Sequence, residues 1–562
     1  MKKSFNHFDC RSTLKNGMVP FRGPGMKQSP LAYSHLKFAA LFLLICGLLT
    51  ARFPDPMLHP WTLVTEEGIM LFQDVYNLPF WQAIFQPYAG YFNIAARLLA
   101  EACSLFPYRA LPFLYSLADL LAAAAAFSFF YLPAFRRIVY SDWQRFVICA
   151  ALCAAPNAVP LFRLETVHFY LVILLVLVAV MDLPRHPAAK LAITLVSVII
   201  AWSAPPAAVL IPVFLYRAVR KAVPAAERAV WVIISVALIS HTLVVRLTQV
   251  PGTPVDLAAL PAISWHGFSY RVAMVGIIGE KAADRLVGSF GWNAALPFAL
   301  LVIALAVTGI RSERRHGNPV FPLVTFLWVI FSGGALIILR PEFAVYFNRF
   351  QPGYFYWADD RYFFASTVIL FLYIGILWTR LRGSLKLPVT IAAAGWCCFM
   401  LVWGYSFHYW SSWGPKFDAY ATMIGSTERQ AAADGKIHKL IIPVAPKSWL
   451  VVLDVGKHTV TNQPPQQVVP STLKLTDYFD VDESAAMLPG WHRSKWFGVF
   501  DDSYYPWIFH PTYGWMACLD TNRAGFFFYS GSQGYFYALP LTFPSVYSFT
   551  KRACITLPPQ KP

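Results

Sequence analysis

Residues 166–181 read Thr-Val-His-Phe-Tyr-Leu-Val-Ile-Leu-Leu-Val-Leu-Val-Ala-Val-Met, an apolar run that begins at His168 and carries no charge after it. A segment apolar all round has no face to turn to water, and this one approaches the length that crosses a bilayer. Outward from it, ten comparable runs lie near 38–49, 110–132, 146–162, 190–203, 205–217, 229–245, 295–310, 319–339, 362–379 and 388–405. The expectation is an α-helical polytopic membrane protein of about eleven transmembrane helices. Several runs are short or hold proline (Pro156, Pro160, Pro205, Pro206, Pro212). A bundle tolerates such breaks where neighbours satisfy the freed backbone groups. No internal repeat is visible.

The composition agrees. Of 562 residues, 57% are hydrophobic, 16% aromatic and 13% charged, and mean hydropathy is +0.50. So few charges exclude an ordinary soluble enzyme, a disordered chain and a disulfide-rich secreted domain. The net charge of +17 does not point to nucleic acid, because the basic residues form short clusters between apolar runs rather than one face or arm.

Those clusters order the topology. Arg136/Arg137, Arg185/Lys190, Arg217/Arg220/Lys221, Arg311/Arg314/Arg315 and Arg380/Arg382/Lys386 alternate with connections that lack them, and the basic tail 1–36 falls in the same set. Lys and Arg hold loops on the cytoplasmic side. The N-terminal tail is therefore expected inside, with an uncleaved first span, and Met26 is an alternative start. Residues 37–405 form the membrane domain. An odd number of spans places 406–562 outside, in the periplasm of a bacterial inner membrane. The long segments 53–109, 246–294 and 340–361 fall on that same outer side, where long non-spanning segments usually carry function.

After residue 406, segments such as KLIIPVAP, SWLVVLDV, AGFFFYS, YFYALPLTF and RACITLP are β-branched, aromatic and bounded by turn residues. They predict a small β-rich domain, preceded by a helix over 415–435. Its aromatics (Trp491, Trp496, Tyr504, Tyr505, Trp507, Trp515) suit either internal packing or stacking on sugar rings. Cys518 and Cys554 fall here and are a candidate disulfide if the region is periplasmic. The other cysteines read as small hydrophobes.

Three clusters on the outer side can carry chemistry. The first is Glu66-Glu67-Gly68, opening a predicted helix over 66–76. Adjacent helical residues point about 100° apart, so one of the two carboxylates faces a site; the alternative is an acidic first turn complementing the helix dipole. A turn at Pro87-Tyr88-Ala89-Gly90-Tyr91 and then Arg97 follow, with a second predicted helix over 91–105. The second cluster is Arg163, Glu165 and His168, either functional or an ion pair holding two helices. The third is Asp359-Asp360-Arg361-Tyr362-Phe363-Phe364. There Arg361 can hold a phosphate by paired hydrogen bonds, and the aspartates can position it or bind a divalent cation; the alternative is an interfacial anchor.

The order of these features resembles bacterial polytopic proteins related to the GT-C glycosyltransferase superfamily. It comprises one span, a loop with an acidic pair and Gly68, the Pro-Tyr-Ala-Gly-Tyr turn, a span opening at His168, Ser203-Ala-Pro-Pro206, and the Asp-Asp-Arg-Tyr-Phe-Phe opening of a late span. The likeness covers roughly residues 38–405. It implies transfer of a sugar from a polyprenyl-phosphate carrier to an envelope glycan or lipid acceptor outside the membrane. The catalytic carboxylate would be Glu66 or Glu67 and Arg361 would meet the donor phosphate; Asp359 and Asp360 stand beside it, and Arg163, Glu165, His168, Arg97 and Tyr88 are candidate supporting residues. No GxGxxG motif supports a nucleotide-sugar site. A transporter, flippase or polymerase of lipid-linked glycans is the competing expectation.

Overall fold

The computed structural model describes residues 31–58, 63, 66–88, 90–156, 162–220, 223–248, 260–315, 324, 361–381, 383–402, 417–444, 449–457, 491–504, 507–522, 525–530, 534–538, 543–548 and 553–557. Among them, five helices are long and apolar enough to cross a membrane: His35–Arg52, Tyr108–Tyr131, Ala225–Thr248, Trp292–Arg311 and Phe363–Arg380. Four apolar helices are shorter, Leu164–Val180, Pro187–Ala201, Pro205–Val219 and Lys386–Val402. The expected eleven spans thus become five long helices and four short ones among the described residues. The expected span 319–339 lies outside them except for Val324. Of the expected span 146–162, residues 146–152 belong to the helix Asp142–Leu152, 153–156 and 162 are not helical, and 157–161 lie outside the described residues.

That last shortfall has a physical cause. In the described stretches 153–156 and 162–167 the chain is not α-helical, and several of its backbone groups are satisfied by side chains from other elements. Arg52 Nη1 donates to the carbonyls of Cys153 (2.7 Å) and Ala155 (2.8 Å). Asp119, about three turns into the long helix that starts at Tyr108, accepts from Phe162 N (2.7 Å) and from the Tyr170 hydroxyl (3.0 Å). Glu67 accepts from Leu164 N (2.8 Å), and Asn93 donates to the Glu165 carbonyl (2.7 Å). Phe162 has φ +65°, a left-handed conformation unusual for a bulky residue. Irregular backbone inside an apolar bundle is stable only when its N–H and C=O groups find partners, and here four side chains provide them.

The basic loops meet at one end of the bundle. Arg137 lies 2.6 Å from Asp182 and donates to Val180 O. Arg217 donates to Ala179 O and Met181 O. Arg145 donates to Tyr131 O and Val139 O, and Arg380 to Ile138 O. The carbonyls at the end of His168–Val180 lack helical partners and carry the negative end of the helix dipole, so guanidinium groups are stabilised there.

At the opposite end sits the segment 66–104. Glu67–Gln73 is a π-helical stretch that runs into Asp74–Asn77, and Ile94–Ser104 is an α-helix, as both were predicted. This segment carries part of the C-terminal region. Helix Phe417–Asp434 leads into an antiparallel hairpin of β1 (His438–Val444) and β2 (Trp449–Val455). Gln73 Oε1 accepts from Val452 N (2.7 Å), and Asn77 both donates to Val452 O (2.7 Å) and accepts from Asp454 N (2.8 Å). Residues 73 and 77 are one helical turn apart, so their amides share a face and substitute for a neighbouring strand. Gly68 permits the close approach: a Cβ there would lie 2.8 Å from Val451 Cγ2 and 3.0 Å from both methyls of Val444.

The remaining strands, β3 (Trp491–Ser494), β4 (Gly498–Tyr504), β5 (Trp507–His510), β6 (Gly514–Asn522), β7 (Gly525–Ser530), β8 (Gly534–Ala538), β9 (Ser545–Ser548) and β10 (Ala553–Thr556), form an antiparallel meander in which each strand pairs with its sequence neighbours. Its core is aromatic: Phe497, Phe500, Phe526, Phe528 and Phe536 are buried. Trp496 packs on Phe497, Phe526 and Phe543, which is the packing role for that tryptophan. Cys518 lies on β6 and Cys554 on β10, with three strands between them in the sheet order.

Candidate functional site

The two carboxylates of the first loop diverge as helical neighbours must. Glu67 turns inward, is 2% exposed and holds Leu164 N. Glu66 turns toward Arg163, whose Nη2 lies 3.4 Å from Glu66 Oε2, and its side chain keeps 17% exposure. The same Arg163 Nη2 lies 2.5 Å from Glu165 Oε1, and Glu165 is 3% exposed. Two clusters ninety-seven residues apart in sequence therefore form one site, in which, among the described residues, the Arg163 guanidinium lies between two carboxylates.

His168 closes the group. Its Nδ1 is 3.2 Å from the Glu165 carbonyl, and its ring meets Tyr91 edge-on with centroids 5.8 Å apart. The turn predicted at 87–91 is present: Tyr88 and Tyr91 exchange both backbone hydrogen bonds (2.9 and 3.1 Å), and Gly90 has φ +80°. Tyr88 is thus placed by a reverse turn, and Tyr91 is the ring of that turn that reaches His168.

Arg97, a candidate supporting residue, pairs with Asp74. It is fully buried and lies 2.9 Å from Asp74. Burial pulls the Arg97 guanidinium below its usual range while Asp74 holds it up. Burial likewise pushes the Asp74 carboxyl up against the opposing pull of Arg97. The pair joins the two helical stretches of the loop.

Asp359 and Asp360 lie outside the described residues. Arg361 is the first residue of the helix Arg361–Arg380. The start of that helix lies beside the start of His168–Val180, because the Phe364 ring meets Tyr170 edge to face with centroids 5.6 Å apart. Among the described residues, no group of three His, Cys, Asp or Glu side chains can hold a metal ion.

Asp119 and Asn93 anchor the irregular segment and were not singled out from the sequence. A visible signal existed for Asp119, a lone acid inside the apolar run 110–132, since an ionisable residue in such a run is expected to have a specific partner. Asn93 has no comparable signature.

Protein-family models, curated proteins and solved structures were compared with the chain, and none matches. The class defined by sequence and fold is a mostly helical protein with several apolar helices able to cross a membrane and small antiparallel sheets. Its fold holds a largely buried arginine–carboxylate cluster at the end of the bundle opposite its arginine-rich loops.

Proposed function

We propose that this protein is a glycosyltransferase of the GT-C type, moving a sugar from a polyprenyl-phosphate donor to a cell-envelope glycan or lipid acceptor on the periplasmic face of a bacterial inner membrane. The observation that carries the reading is Glu66. It is a first-loop carboxylate that keeps some exposure, and its ion pair with Arg163 ties it to the segment just before His168–Val180, whose first turn meets the first turn of Arg361–Arg380.

In this reading Glu66 takes the proton of the acceptor hydroxyl. The acceptor oxygen bonds to the anomeric carbon as the bond from that carbon to the phosphate oxygen breaks, and polyprenyl phosphate leaves with the bonding pair. A phosphate is already a competent leaving group, so the reaction needs mainly a positioned base and a cation for the departing charge. Arg361, assigned from the sequence together with Asp359 and Asp360, supplies that cation. Arg163 orients Glu66. Glu67 keeps the structural part described above, so the base assignment narrows from the acidic pair to Glu66.

The test is reconstitution in proteoliposomes with a radiolabelled polyprenyl-phosphate hexose and a bacterial envelope lipid or glycan fraction. Label is expected to move to the acceptor, and Arg361→Ala is expected to raise the KM for donor more than that for acceptor. A transporter would carry the donor across the bilayer without breaking its sugar–phosphate bond, and that outcome would overturn the reading. A reporter fused at the C-terminus should signal from the periplasm.

A further inference from the structure

A cavity of 440 Å³ lies where the first loop, the start of the long helix at Tyr108 and the helix Phe417–Asp434 converge. It lies within the size range of small-ligand sites. Its described lining includes Phe72, Tyr76, Tyr108, Tyr115, Ser104 and Glu428. Phe72, Tyr76 and Tyr108 form a three-ring group with centroids 6.1–6.3 Å apart.

The electrostatics of this cavity run against those of the whole chain. In a protein of net charge +17, the described lining contains the carboxylate of Glu428 and no lysine, arginine or histidine. Two cations beside lining residues are engaged elsewhere: Arg109 donates to Thr422, and Lys457 lies 3.9 Å from Asp454. The hydroxyls of Tyr76 (3.0 Å) and Tyr108 (2.7 Å) both donate to one oxygen of Glu428, Oε1. That leaves Oε2 with no hydrogen bond from the described residues. Tyrosine hydroxyls that pin a carboxylate while their rings line the same space combine a fixed negative charge with electron-rich faces. Both attract a cation.

We propose that this cavity binds an organic ammonium group, with Glu428 as its counter-ion and the rings of Phe72, Tyr76 and Tyr108 as its walls. An amino sugar and a phosphatidylethanolamine headgroup both carry such a group. Its described lining includes none of Glu66, Arg163, Glu165 and His168, and its occupation does not depend on the glycosyl-transfer reading.

The experiment uses the full-length protein in phosphatidylglycerol nanodiscs and choline as the probe, with the carbon analogue of choline, in which an uncharged carbon replaces the nitrogen, as control. Binding is read by saturation-transfer NMR and calorimetry. Choline is expected to bind roughly tenfold tighter than its analogue, and Glu428→Gln, which keeps shape and loses charge, should remove that preference. Tyr76→Leu keeps the carboxylate and should weaken choline in the same direction, with hydrogen exchange of 438–455 reporting that the hairpin remains docked. Competition by glucosamine but not glucose assigns the amino sugar. Competition on replacing part of the phosphatidylglycerol by phosphatidylethanolamine assigns the headgroup. Absence of saturable choline binding, equal binding of choline and its analogue, an undiminished preference in Glu428→Gln, or competition by neither ammonium source would each overturn the proposal.

Discussion

Arg163 lies 2.5 Å from Glu165 and 3.4 Å from Glu66, and the two contacts are not equivalent. Glu165 is nearly sealed from solvent, whereas Glu66 keeps an exposed edge. Removing the cation takes away the partner of a buried ion pair, a change that typically costs roughly 3–5 kcal/mol. Arg163→Met should therefore lower stability strongly, while Glu66→Gln should cost no more than about 1 kcal/mol. Denaturation of the detergent-solubilised protein checks both. Equal losses would mean that the arginine serves Glu66 rather than Glu165.

Asp119 holds the irregular chain between two short helices through Phe162 N and the Tyr170 hydroxyl. Asp119→Ala orphans two buried donors, each worth roughly 1–3 kcal/mol. The expected outcome is faster hydrogen exchange across 153–167, with the long helix Ala225–Thr248 unchanged. Uniform loosening of the whole bundle would contradict a local anchoring role.

Gly68 and Asn77 hold the β1–β2 hairpin on the first loop. A methyl at residue 68 meets two branched side chains that have little room to move, so Gly68→Ala should cost roughly 1–3 kcal/mol by overpacking. Asn77→Ala should expose the edge of β2. Both variants should accelerate hydrogen exchange at 438–455 while leaving β3–β10 protected.

These contacts mark where the sequence was legible. Apolar runs, the helices over 66–76, 91–105 and 415–435, the turn at 87–91 and the strand segments at 439–446, 448–455 and 524–530 could be read because each has a local period or a breaker at its edge. The span expected at 146–162 was misjudged because apolar composition alone does not distinguish a helix from irregular chain whose polar groups are bound by distant side chains. Glu66, Arg163, Glu165 and His168 were each visible as rare polar residues near apolar runs. Their union was not, because it depends on which loops the bundle brings together. The same holds for Arg97, whose partner Asp74 comes from an earlier helical stretch of the loop, and for Glu428, which the sequence did not single out.

The eight-stranded sheet should be acid-sensitive. His510 is buried; its Nε2 lies 3.0 Å from the Phe497 carbonyl, and its Nδ1 accepts from Thr512 N (3.0 Å) and Tyr513 N (3.3 Å). Burial lowers its pKa below the usual imidazole value, against the smaller raising effect of the Phe497 carbonyl. A histidine depressed in the folded state contributes stability that is complete above the unfolded value, about 6.5, and is lost as pH falls through the folded value. Hydrogen exchange of β3–β6 should therefore quicken on acidification below about pH 6.5, and His510→Asn should flatten that dependence. A pH-independent sheet would rule out His510 as its acid-sensitive point.

The most direct measurement compares sugar transfer by Glu66→Gln and Glu67→Gln in the same proteoliposomes. Glu67→Gln keeps an acceptor for Leu164 N and should retain transfer within about tenfold, whereas Glu66→Gln should lose roughly 100-fold or more in kcat with its fold intact. Full transfer by Glu66→Gln, with label still reaching the acceptor, would contradict the assignment of Glu66 as the base.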